Sequence, residues 1–263
     1  MRRHERLNVV LESLAERGTL SVDEIAARFD VSAATARRDL DDLATQQLVT
    51  RTRGGAIAQS VTYDLPLRYK SVRQTEEKQR IGAAAAALVT PGAVVGFNGG
   101  TTTTVVARAL ATRADLNVDS SVGRPAFTVV TNALNIANEL TVRSHIKIVV
   151  LGGVARPQSY ELIGPIASRA LEDLTMDLLI LGVNAISPTD GAAAKHEGEA
   201  QINHEMVTRA RRVVVVADGS KLGRHAFCRI CGLSSVDLLL TDTGADPSVV
   251  AQFRDAGVKV QTV

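Results

Sequence analysis

The first 57 residues place apolar side chains at the spacing of short amphipathic helices. Over residues 4–17 they recur at intervals of three and four, which predicts one helix with a single apolar face. These apolar positions are Leu7, Val10, Leu11 and Leu14. Gly18 follows as a natural helix stop. Residues 21–24 have the order of a capping box and predict a second helix that reaches Phe29.

A third helix is predicted to begin at Ser32, a good N-cap residue, after a tight turn at residues 30–31. Its apolar stripe consists of Ala36, Leu40 and Leu43. Thr35 and Arg38 lie away from this stripe, and Arg37 lies on its flank. A hydroxyl and two guanidinium groups therefore point outward from the first turns. This arrangement suits a helix that enters a DNA major groove and contacts phosphates or guanine edges.

Residues 48–57 predict a β-hairpin wing, because two short β-prone runs flank Gly54 and Gly55. Arg51 and Arg53 are predicted to alternate on one face of its first strand, where they suit phosphates or the minor groove. The predicted DNA contacts are Ser32, Thr35, Arg37, Arg38, Arg51 and Arg53. The alternative is a solvated helix face on which Arg37 and Arg38 pair with the aspartates of the same helix. Those aspartates are Asp39, Asp41 and Asp42.

From residue 75 onward, continuous apolar runs alternate with helical patterns. The predicted strands are 94–97, 127–130, 146–151, 178–181, 213–217, 236–240 and 258–260. The predicted helices are 75–89, 102–110, 134–140, 165–171 and 199–210, with one more before the last strand and irregular chain after residue 151. This alternation indicates an α/β fold with a mostly parallel, Rossmann-like sheet covered on both faces. The predicted organisation is a winged helix-turn-helix domain (1–57), a linker (58–74) and an α/β domain (75–263).

Four predicted strands end in small or polar residues, at the sheet edge where ligands of such folds bind. Residues 98–104 combine an asparagine, two glycines and four threonines directly before a helix. Backbone amides, hydroxyls and a helix N-terminus at one place suit a phosphate. The other ends are 131–132, 152–153 and 218–221, where Lys221 would supply a cation. The Gly-Gly-Thr loop alone is at least as typical of a plain strand-to-helix turn, and the alternative for Asp218 and Lys221 is a turn whose charges face solvent. The prediction therefore depends on the four strand ends together.

Composition adds little to this picture. The chain of 263 residues is 45% hydrophobic and 22% charged, with a formal net charge of +2. The first 57 residues hold as many acidic residues as arginines, so any DNA-binding surface depends on how the arginines cluster. The N-terminus lacks the apolar segment of a signal peptide, and no apolar run has the length of a membrane span. We therefore expect a cytoplasmic protein with no membrane partner.

Cys228 and Cys231 are the only cysteines, in a C-x-x-C spacing. A zinc site would need two more ligands, of which His225 supplies at most one. A redox pair is a second interpretation. The simplest is two small apolar side chains on a strand. We expect no metal site here.

The third helix and the wing also resemble a known family. Residues 35–40, followed by Leu43 and by residues 53–56, resemble the N-terminal signature of DeoR-family transcriptional regulators. Ala36 stands where the family usually has Ile. The resemblance implies a homo-oligomer, dimer or tetramer, that binds double-stranded operator DNA, commonly as a repressor of sugar-catabolism genes. It also implies release from DNA when a phosphorylated sugar metabolite binds.

The second half matches the family's effector domain, which is similar to ribose-5-phosphate isomerase and glucosamine-6-phosphate deaminase. The matching motifs are Gly100-Thr101-Thr102, Thr131-Asn132, Gly152-Gly153, Gly164-Pro165, Glu199, residues 218–221 and Thr241-Asp242. By this resemblance residues 99–103 and Lys221 hold phosphate. The sugar would face Asn132, Arg156, Glu199 and Asp218. The predicted effector site comprises Asn98, Gly99, Gly100, Thr101, Thr102, Thr103, Thr131, Asn132, Gly152, Gly153, Arg156, Glu199, Asp218, Ser220 and Lys221.

Three positions depart from the family pattern. Asn98 stands where Asp is frequent, Ala133 where Ser is common, and Asn203 where a Lys usually follows Glu199 by four positions. The last departure removes a positive charge near Glu199. The other motifs of the effector domain are retained.

Three functions fit the sequence. The favoured one is a DNA-binding repressor, without catalytic residues or cofactor, whose effector domain senses a phosphorylated sugar or polyol. The second is a phosphosugar isomerase or deaminase with an appended DNA-binding domain, in which Asp218, Glu199 and His196 act as acid or base groups. The third is a DNA-binding protein with no small ligand. The paired arginines of the predicted wing favour the first over a plain enzyme.

Overall fold

The computed structural model describes residues 3–46, 48–58, 75–116 and 125–263. The chain divides into two compact units, an N-terminal unit (Met1–Arg73) and a C-terminal unit (Gln74–Val263). The predicted linker, 58–74, lies outside the described residues except for Ala58. The domain boundaries inferred from sequence therefore stay a prediction.

The N-terminal unit is a winged helix. Its elements are α1 (Arg3–Arg17), β1 (Thr19–Ser21), α2 (Val22–Phe29), α3 (Ala33–Thr45), β2 (Val49–Arg51) and β3 (Gly55–Ala58). The three strands form an antiparallel sheet in the order β1-β3-β2. The core is formed by the predicted apolar stripes of the three helices, including Leu11, Leu14, Ile25, Leu40 and Leu43, each at most 2% exposed.

Local signals of the sequence set the helix boundaries. Ser21 and Glu24 form the predicted capping box, with the Ser21 hydroxyl accepting from the Glu24 N–H and the Glu24 carboxylate accepting from the Ser21 N–H. Ser32 caps α3 by accepting from the Thr35 N–H. Gly55 lets the wing approach β1, because a Cβ at this position would lie 2.1 Å from the Leu20 carbonyl oxygen. The two capping predictions are confirmed, whereas Gly55, predicted to lie in the hairpin turn, is the first residue of β3.

The C-terminal unit contains a seven-stranded sheet. Its strands are β4 (Val94–Phe97), β5 (Phe127–Thr131), β6 (Ile146–Val150), β9 (Leu178–Gly182), β12 (Val213–Val216), β14 (Leu238–Thr241) and β15 (Val260–Thr262). They pair in parallel in the order β15-β14-β12-β9-β4-β5-β6. From β4 the chain first builds outward to β6 and then crosses back to β9, so the strand order reverses between β4 and β9. Such a switch point is where α/β sheets bind ligands.

Helices cover both faces of this sheet. They are α4 (Thr75–Ala86), α5 (Thr101–Ala111), α6 (Leu134–Leu140), α7 (Pro165–Leu171), α8 (Glu197–Thr208) and α9 (Pro247–Asp255). Side chains of α4, α5 and α6 pack with Phe97 and Phe127 in one core. Side chains of α7, α8 and α9 pack with Leu179 and Leu181 in the other. The predicted sheet, mostly parallel and covered on both faces, is therefore confirmed.

In the C-terminal unit, three departures from the predicted elements exceed a shift of two residues at an end. Helix α4 ends at Ala86 rather than at residue 89. The segment predicted as irregular after β6 forms an antiparallel pair, β7 (Val154–Ala155) and β8 (Leu162–Ile163). We call residues 152–164 the arm. A small antiparallel sheet was also missed, with strands β10 (Ala185–Ser187), β11 (Gly191–Ala194) and β13 (Cys228–Cys231).

The two cysteines lie on β13, as the simplest interpretation of their spacing expects. Both are free thiols, and burial raises the pKa of Cys231 to about 11. Within the described ranges, no group of three or more His, Cys, Asp or Glu side chains is placed to hold a metal ion. No helix in the same ranges is both long and apolar enough to cross a membrane.

Candidate functional site

The outward face of α3 carries the predicted DNA-contacting residues of that helix. Ser32, Arg37 and Arg38 are exposed, and Thr35 is half-buried. The Thr35 and Ser32 hydroxyls lie 2.9 Å apart, so the cap also holds the Thr35 side chain. The opposite face is fixed by Ala36, Leu40 and Leu43, all fully buried. The helix thus presents one rigid polar face to solvent.

The aspartates of α3 pair with arginines from outside the helix. Asp39, 1% exposed, accepts from Arg6 Nε at 2.6 Å and from Arg3 Nε at 3.4 Å. Arg3 also pairs with Asp42. These contacts join α1 to α3 and bury the negative charge of Asp39.

Asp41 pairs with Arg51 Nε of the wing at 2.8 Å. In the part of the chain that the structure describes, neither Arg37 nor Arg38 has a carboxylate partner. The pairs within the helix that the alternative interpretation requires are therefore not formed there. The two guanidinium groups stay available to an external anion.

The wing differs from its prediction. Strand β2 ends at Arg51, so Arg53 lies in the following turn and does not alternate with Arg51 on one strand face. Arg51 also donates to the Gly55 carbonyl in addition to Asp41, which leaves its side chain 30% exposed. Arg51 therefore joins the wing to α3, whereas Arg53 is exposed at the tip. The sequence did not reveal the role of Arg51, because Arg51, Asp41 and Gly55 come together only in the folded unit.

In the C-terminal unit, the loop after β4 lies at the switch point of the sheet. The Asn98 side chain donates to the Gly182 carbonyl at 2.9 Å and accepts from the Gly182 N–H at 2.7 Å. This amide clamp joins the carboxyl ends of β4 and β9. Asn98, predicted to touch effector, is 1% exposed and uses both side-chain polar atoms in the clamp.

Gly100 is the N-cap of α5, at φ 153° and ψ 160°, and has no side chain to cap the helix. The N–H groups of the first helical turn have no acceptors within their own helix, so those of residues 101–103 can hold an anion. The hydroxyls of Thr103 and Thr104 both donate to the Gly100 carbonyl, at 3.1 and 2.6 Å. Two of the four threonine hydroxyls of the predicted anion loop are therefore engaged within the loop itself.

Glu161, on the arm, accepts a hydrogen bond from one backbone amide of this loop. The Gly99 N–H donates to Glu161 Oε1 at 2.7 Å. The residue is 2% exposed, and its other oxygen, Oε2, accepts no hydrogen bond. Burial and the nearby Glu199 raise the pKa of Glu161 well above its usual value, against the opposing effects of the Gly99 N–H, Asn203 and Arg156. This carboxyl group therefore ionises less readily than that of an exposed glutamate.

The arm also brings Arg156 to α8. Its guanidinium donates to Glu199 Oε1 at 2.9 Å, and both side chains are nearly buried, at 12% and 6% exposure. Asn203, one turn further along α8, is 2% exposed. Arg156, Glu161, Glu199 and Asn203 thus form one buried polar cluster.

Three buried oxygens near the carboxyl ends of β4 and β5 have no hydrogen-bond donor. They are Asn132 Oδ1, Glu161 Oε2 and Asn203 Oδ1. A buried acceptor without a donor costs about 1–3 kcal/mol, so each of these oxygens needs a donor from outside the described residues. Hydroxyl groups of a sugar or polyol would supply the missing donors.

The loop after β12 lies at the same sheet edge, two strand positions from β4, or about 10 Å. Asp218, 2% exposed, accepts from the N–H and hydroxyl of Ser220. Asp242, at the end of β14, accepts from the Gly219 N–H at 2.6 Å. This network fixes the turn that carries Lys221, whose side chain is half-buried.

Other predicted effector residues have internal roles. Thr131 is fully buried, donates to the Phe97 carbonyl and accepts from the Ala133 N–H. At Gly153 a Cβ would lie 2.7 Å from the Ile163 carbonyl oxygen, so this glycine permits the close pairing of the arm. Gly152 is exposed beside it. These three residues shape the site without offering it a free polar side-chain atom.

Sequence reasoning missed Glu161 and Gly182. Gly182 permits close packing on the anion loop, since a Cβ there would lie 3.0 Å from Thr103 Cγ2. A glycine directly after a run of apolar strand residues was a usable signal. The sequence holds no such signal for Glu161, because its burial depends on the arm folding back over β4 and β5 through a bridge to Ala133.

Two families match most of the chain. Residues 6–62 match the DeoR-like helix-turn-helix domain, and residues 73–243 match the DeoR C terminal sensor domain.

Three curated relatives are similar over nearly their full length. The chain is 31% identical over 262 residues to the glycerol-3-phosphate regulon repressor of Escherichia coli, covering 99% of each chain. It is 34% identical to the HTH-type transcriptional regulator GlpR of Haloferax volcanii, covering 97% of this chain and 96% of that one. It is 34% identical to the HTH-type transcriptional repressor GlcR of Bacillus subtilis, covering 92% and 89%.

Solved structures give weaker likenesses. A probable sor operon regulator from Shigella flexneri has a TM-score of 0.45 at 11% identity, covering 69% of this chain and 90% of that one. Ribose 5-phosphate isomerase A from Methanocaldococcus jannaschii has a TM-score of 0.39 at 18% identity, covering 56% and 54%. The assignment rests on the two family matches and the curated relatives: the chain belongs to the DeoR family of transcriptional regulators.

Proposed function

We propose that this protein is a transcriptional repressor of sugar or polyol catabolism genes that releases its operator when a phosphorylated metabolite binds. It would act in the cytoplasm as a homo-oligomer, since a dimer presents two recognition helices to a two-fold operator. The observation that carries the proposal is the pair of arginines on α3 without carboxylate partners among the described residues, in a chain that also holds a cluster of buried polar side chains.

The N-terminal unit supports the DNA-binding part. Ser32, Thr35, Arg37 and Arg38 share the outward face of α3, and Arg53 is exposed at the wing tip. We assign base or phosphate contacts to the two α3 arginines and a phosphate contact to Arg53. Arg51 is assigned a supporting role, because Asp41 and Gly55 already hold it.

The C-terminal unit supports the sensing part. The first-turn amides of α5 suit a phosphate, and the three acceptors without donors suit hydroxyl groups of a short sugar or polyol. Lys221 and the clustered Arg156 would add positive charge. Names of relatives point the same way, since one is the repressor of a glycerol-3-phosphate regulon.

The enzyme alternative has less support. Its acid and base candidates are engaged: His196 Nδ1 accepts from the Gly198 N–H as the cap of α8, Glu199 pairs with Arg156, and Asp218 caps the turn before Lys221. We therefore propose that the unit binds a phosphosugar without converting it.

Electrophoretic mobility shift of the full-length protein tests both halves together. The DNA would be an operator selected from a random pool, with and without glycerol 3-phosphate, ribose 5-phosphate and glucosamine 6-phosphate. We expect binding that one of these compounds reverses, together with no turnover of that compound. Turnover, or binding that persists in an Arg37→Ala/Arg38→Ala variant, would contradict the proposal.

Lys221→Ala tests the sensor separately. Loss of one ammonium group from the phosphate site should weaken the response to the active compound by at least tenfold, about 1.4 kcal/mol, and leave operator affinity unchanged. Lys195→Ala, an exposed lysine, is the control. An unaltered effector response in Lys221→Ala would exclude this role.

A further inference from the structure

We propose that Glu161 is an internal anion of the ligand site, which holds the Gly99 amide in the empty protein and becomes uncharged when a phosphorylated effector binds. Effector binding then takes up one proton. This inference rests on the proposed function, because it requires an anionic ligand at the N-terminus of α5.

The geometry places Glu161 directly against the anion loop. Its Oε1 accepts from the Gly99 N–H at 2.7 Å, and a Cβ on Gly99 would lie 2.5 Å from Glu161 Cγ. The backbone of Glu161 is fixed by a bridge to Ala133 and by the Arg156 N–H, which donates to the Glu161 carbonyl at 2.8 Å. The carboxyl group therefore stays beside the loop whether or not it is charged.

In the buried cluster that the structure describes around Glu161, the one cation pairs with Glu199. In the described parts of the chain, the charged groups that act on it are Glu199 from α8 and Arg156 from the arm. Arg156 donates to Glu199, so the single guanidinium is already engaged with the other carboxylate. Asn203 contributes a neutral amide. The cluster has two carboxyl groups for one cation, and burial raises the pKa of Glu161 well above its usual value.

An external phosphate would add two negative charges close by. The amide of Gly99 precedes that of Thr101 by two residues, at most about 7 Å of chain. A carboxylate on the first amide and a phosphate on the second would be near neighbours, and like charges placed close together in a buried site disfavour the ionised carboxyl. A protonated Glu161 keeps Oε1 as the acceptor of the Gly99 N–H. Its Oε2, which accepts no hydrogen bond in the empty site, would carry the proton and donate it in a hydrogen bond to the ligand.

The sign of the pH dependence follows from these states. A bound phosphate raises the pKa of Glu161 further, above a value that is already raised in the empty protein. Below the pKa of the empty protein the carboxyl is neutral and binding takes up no proton. Above it, each binding event takes up one, and Kd rises by about tenfold per pH unit until the pKa of the bound state is reached.

Isothermal titration calorimetry of the full-length protein measures this coupling. The probes are inorganic phosphate, glycerol 3-phosphate, ribose 5-phosphate and glucosamine 6-phosphate, and the phosphate ester that binds tightest is followed from about pH 6.5 to about pH 9, where it is mostly a dianion. Buffers of low and high ionisation enthalpy report proton uptake. We expect wild-type affinity to fall with rising pH, with uptake approaching one proton per ligand.

Glu161→Gln separates charge from shape, because its amide oxygen still accepts from Gly99. We expect tighter binding than wild type at high pH, a flat pH profile and no proton uptake. Glu197→Gln, an exposed acid in the first turn of α8, should retain the wild-type slope. Thermal unfolding of each variant checks that it folds. Glu161→Asp keeps the carboxyl group, so it should keep the wild-type pH slope and shows whether a flat profile in Glu161→Gln comes from the lost charge.

The outcomes distinguish this inference from the proposed function. Ligand binding by wild type with no pH slope and no proton uptake would overturn the role of Glu161 and leave the sensor intact. A Glu161→Gln variant that binds more weakly at every pH would do the same, because it would make Glu161 an ordinary ligand contact. Failure of all four probes to bind would overturn the proposed function, and this inference with it.

Discussion

The two units of this protein differ in how they balance buried charge. In the N-terminal unit two arginines, Arg3 and Arg6, share one buried aspartate, Asp39. In the C-terminal unit two buried glutamates, Glu161 and Glu199, lie near one arginine, Arg156, which pairs with Glu199. Arg3 also pairs with Asp42, so the first cluster is balanced in charge, whereas the second has a surplus of negative charge.

The difference matches what each unit is proposed to bind. A surface for DNA can keep its arginines in water, so the fold only has to keep nearby acids away from them. Pairing Asp39 with Arg6 and Asp41 with Arg51 does this. A pocket for a small metabolite encloses its ligand, so buried acceptors in the pocket gain their hydrogen-bond donors only when the ligand binds. Such a pocket gives up some stability until the ligand binds.

Asp39→Asn should give the largest effect. It leaves the Arg6 guanidinium buried without a negative partner, and breaking a buried pair in this way costs about 3–5 kcal/mol. Urea denaturation of the full-length protein, followed by a probe of the N-terminal unit, measures the loss. Asp41→Asn is the matched control on the same helix. Its pair with Arg51 is partly exposed, so we expect a loss of about 1 kcal/mol or less. Equal losses in the two variants would mean that Asp39 is not the charge that holds α1 to α3.

Arg38→Ala should give an intermediate effect, on binding rather than on folding. A direct base contact is worth about 1–3 kcal/mol, and its loss should relax sequence preference at one operator position. Fluorescence anisotropy with the selected operator and with unrelated DNA measures both quantities. Arg17→Ala removes an exposed arginine of the same unit that pairs with Glu24, away from α3, and should change little. If Arg38→Ala weakened binding to all DNA sequences alike, Arg38 would contact phosphate only.

The comparison also shows which features sequence alone could predict. The stripes of α1 and α3, the Ser21–Glu24 capping box and the Ser32 cap depend on residues within one or two turns, and all were predicted. The parallel strands were predicted because buried strands are continuously apolar. The arrangement of charge was not, since Arg6 meets Asp39 across 33 residues and Gly99 meets Glu161 across 62.

The missed strands have a similar cause. Strand β11 is Gly191 followed by three alanines, which have low β-propensity, and it is a strand because β10 and β13 pair with both its edges. The arm was predicted as irregular because each of its two strands is only two residues long, which is too short to show a pattern in the sequence. Of the predicted effector residues, the structure brings Gly99 and Asn132 beside the arm that carries Arg156. It gives Asn98 and Thr131 internal partners instead.

Glu199→Gln should give the smallest effect and tests the comparison most directly. It removes one of two carboxylates that act on Arg156, so the guanidinium keeps Glu161 as a neighbouring negative charge. We expect a loss of about 1 kcal/mol, the value of an ordinary hydrogen bond, where Asp39→Asn loses several times more. The pKa of Glu161 should fall, since one of the causes that raise it is removed, and the pH range of proton-coupled effector binding should move downward with it. Urea denaturation and the calorimetric pH series measure the two effects. A loss as large as that of Asp39→Asn would show that Glu161 does not share Arg156, and that the two units are built alike.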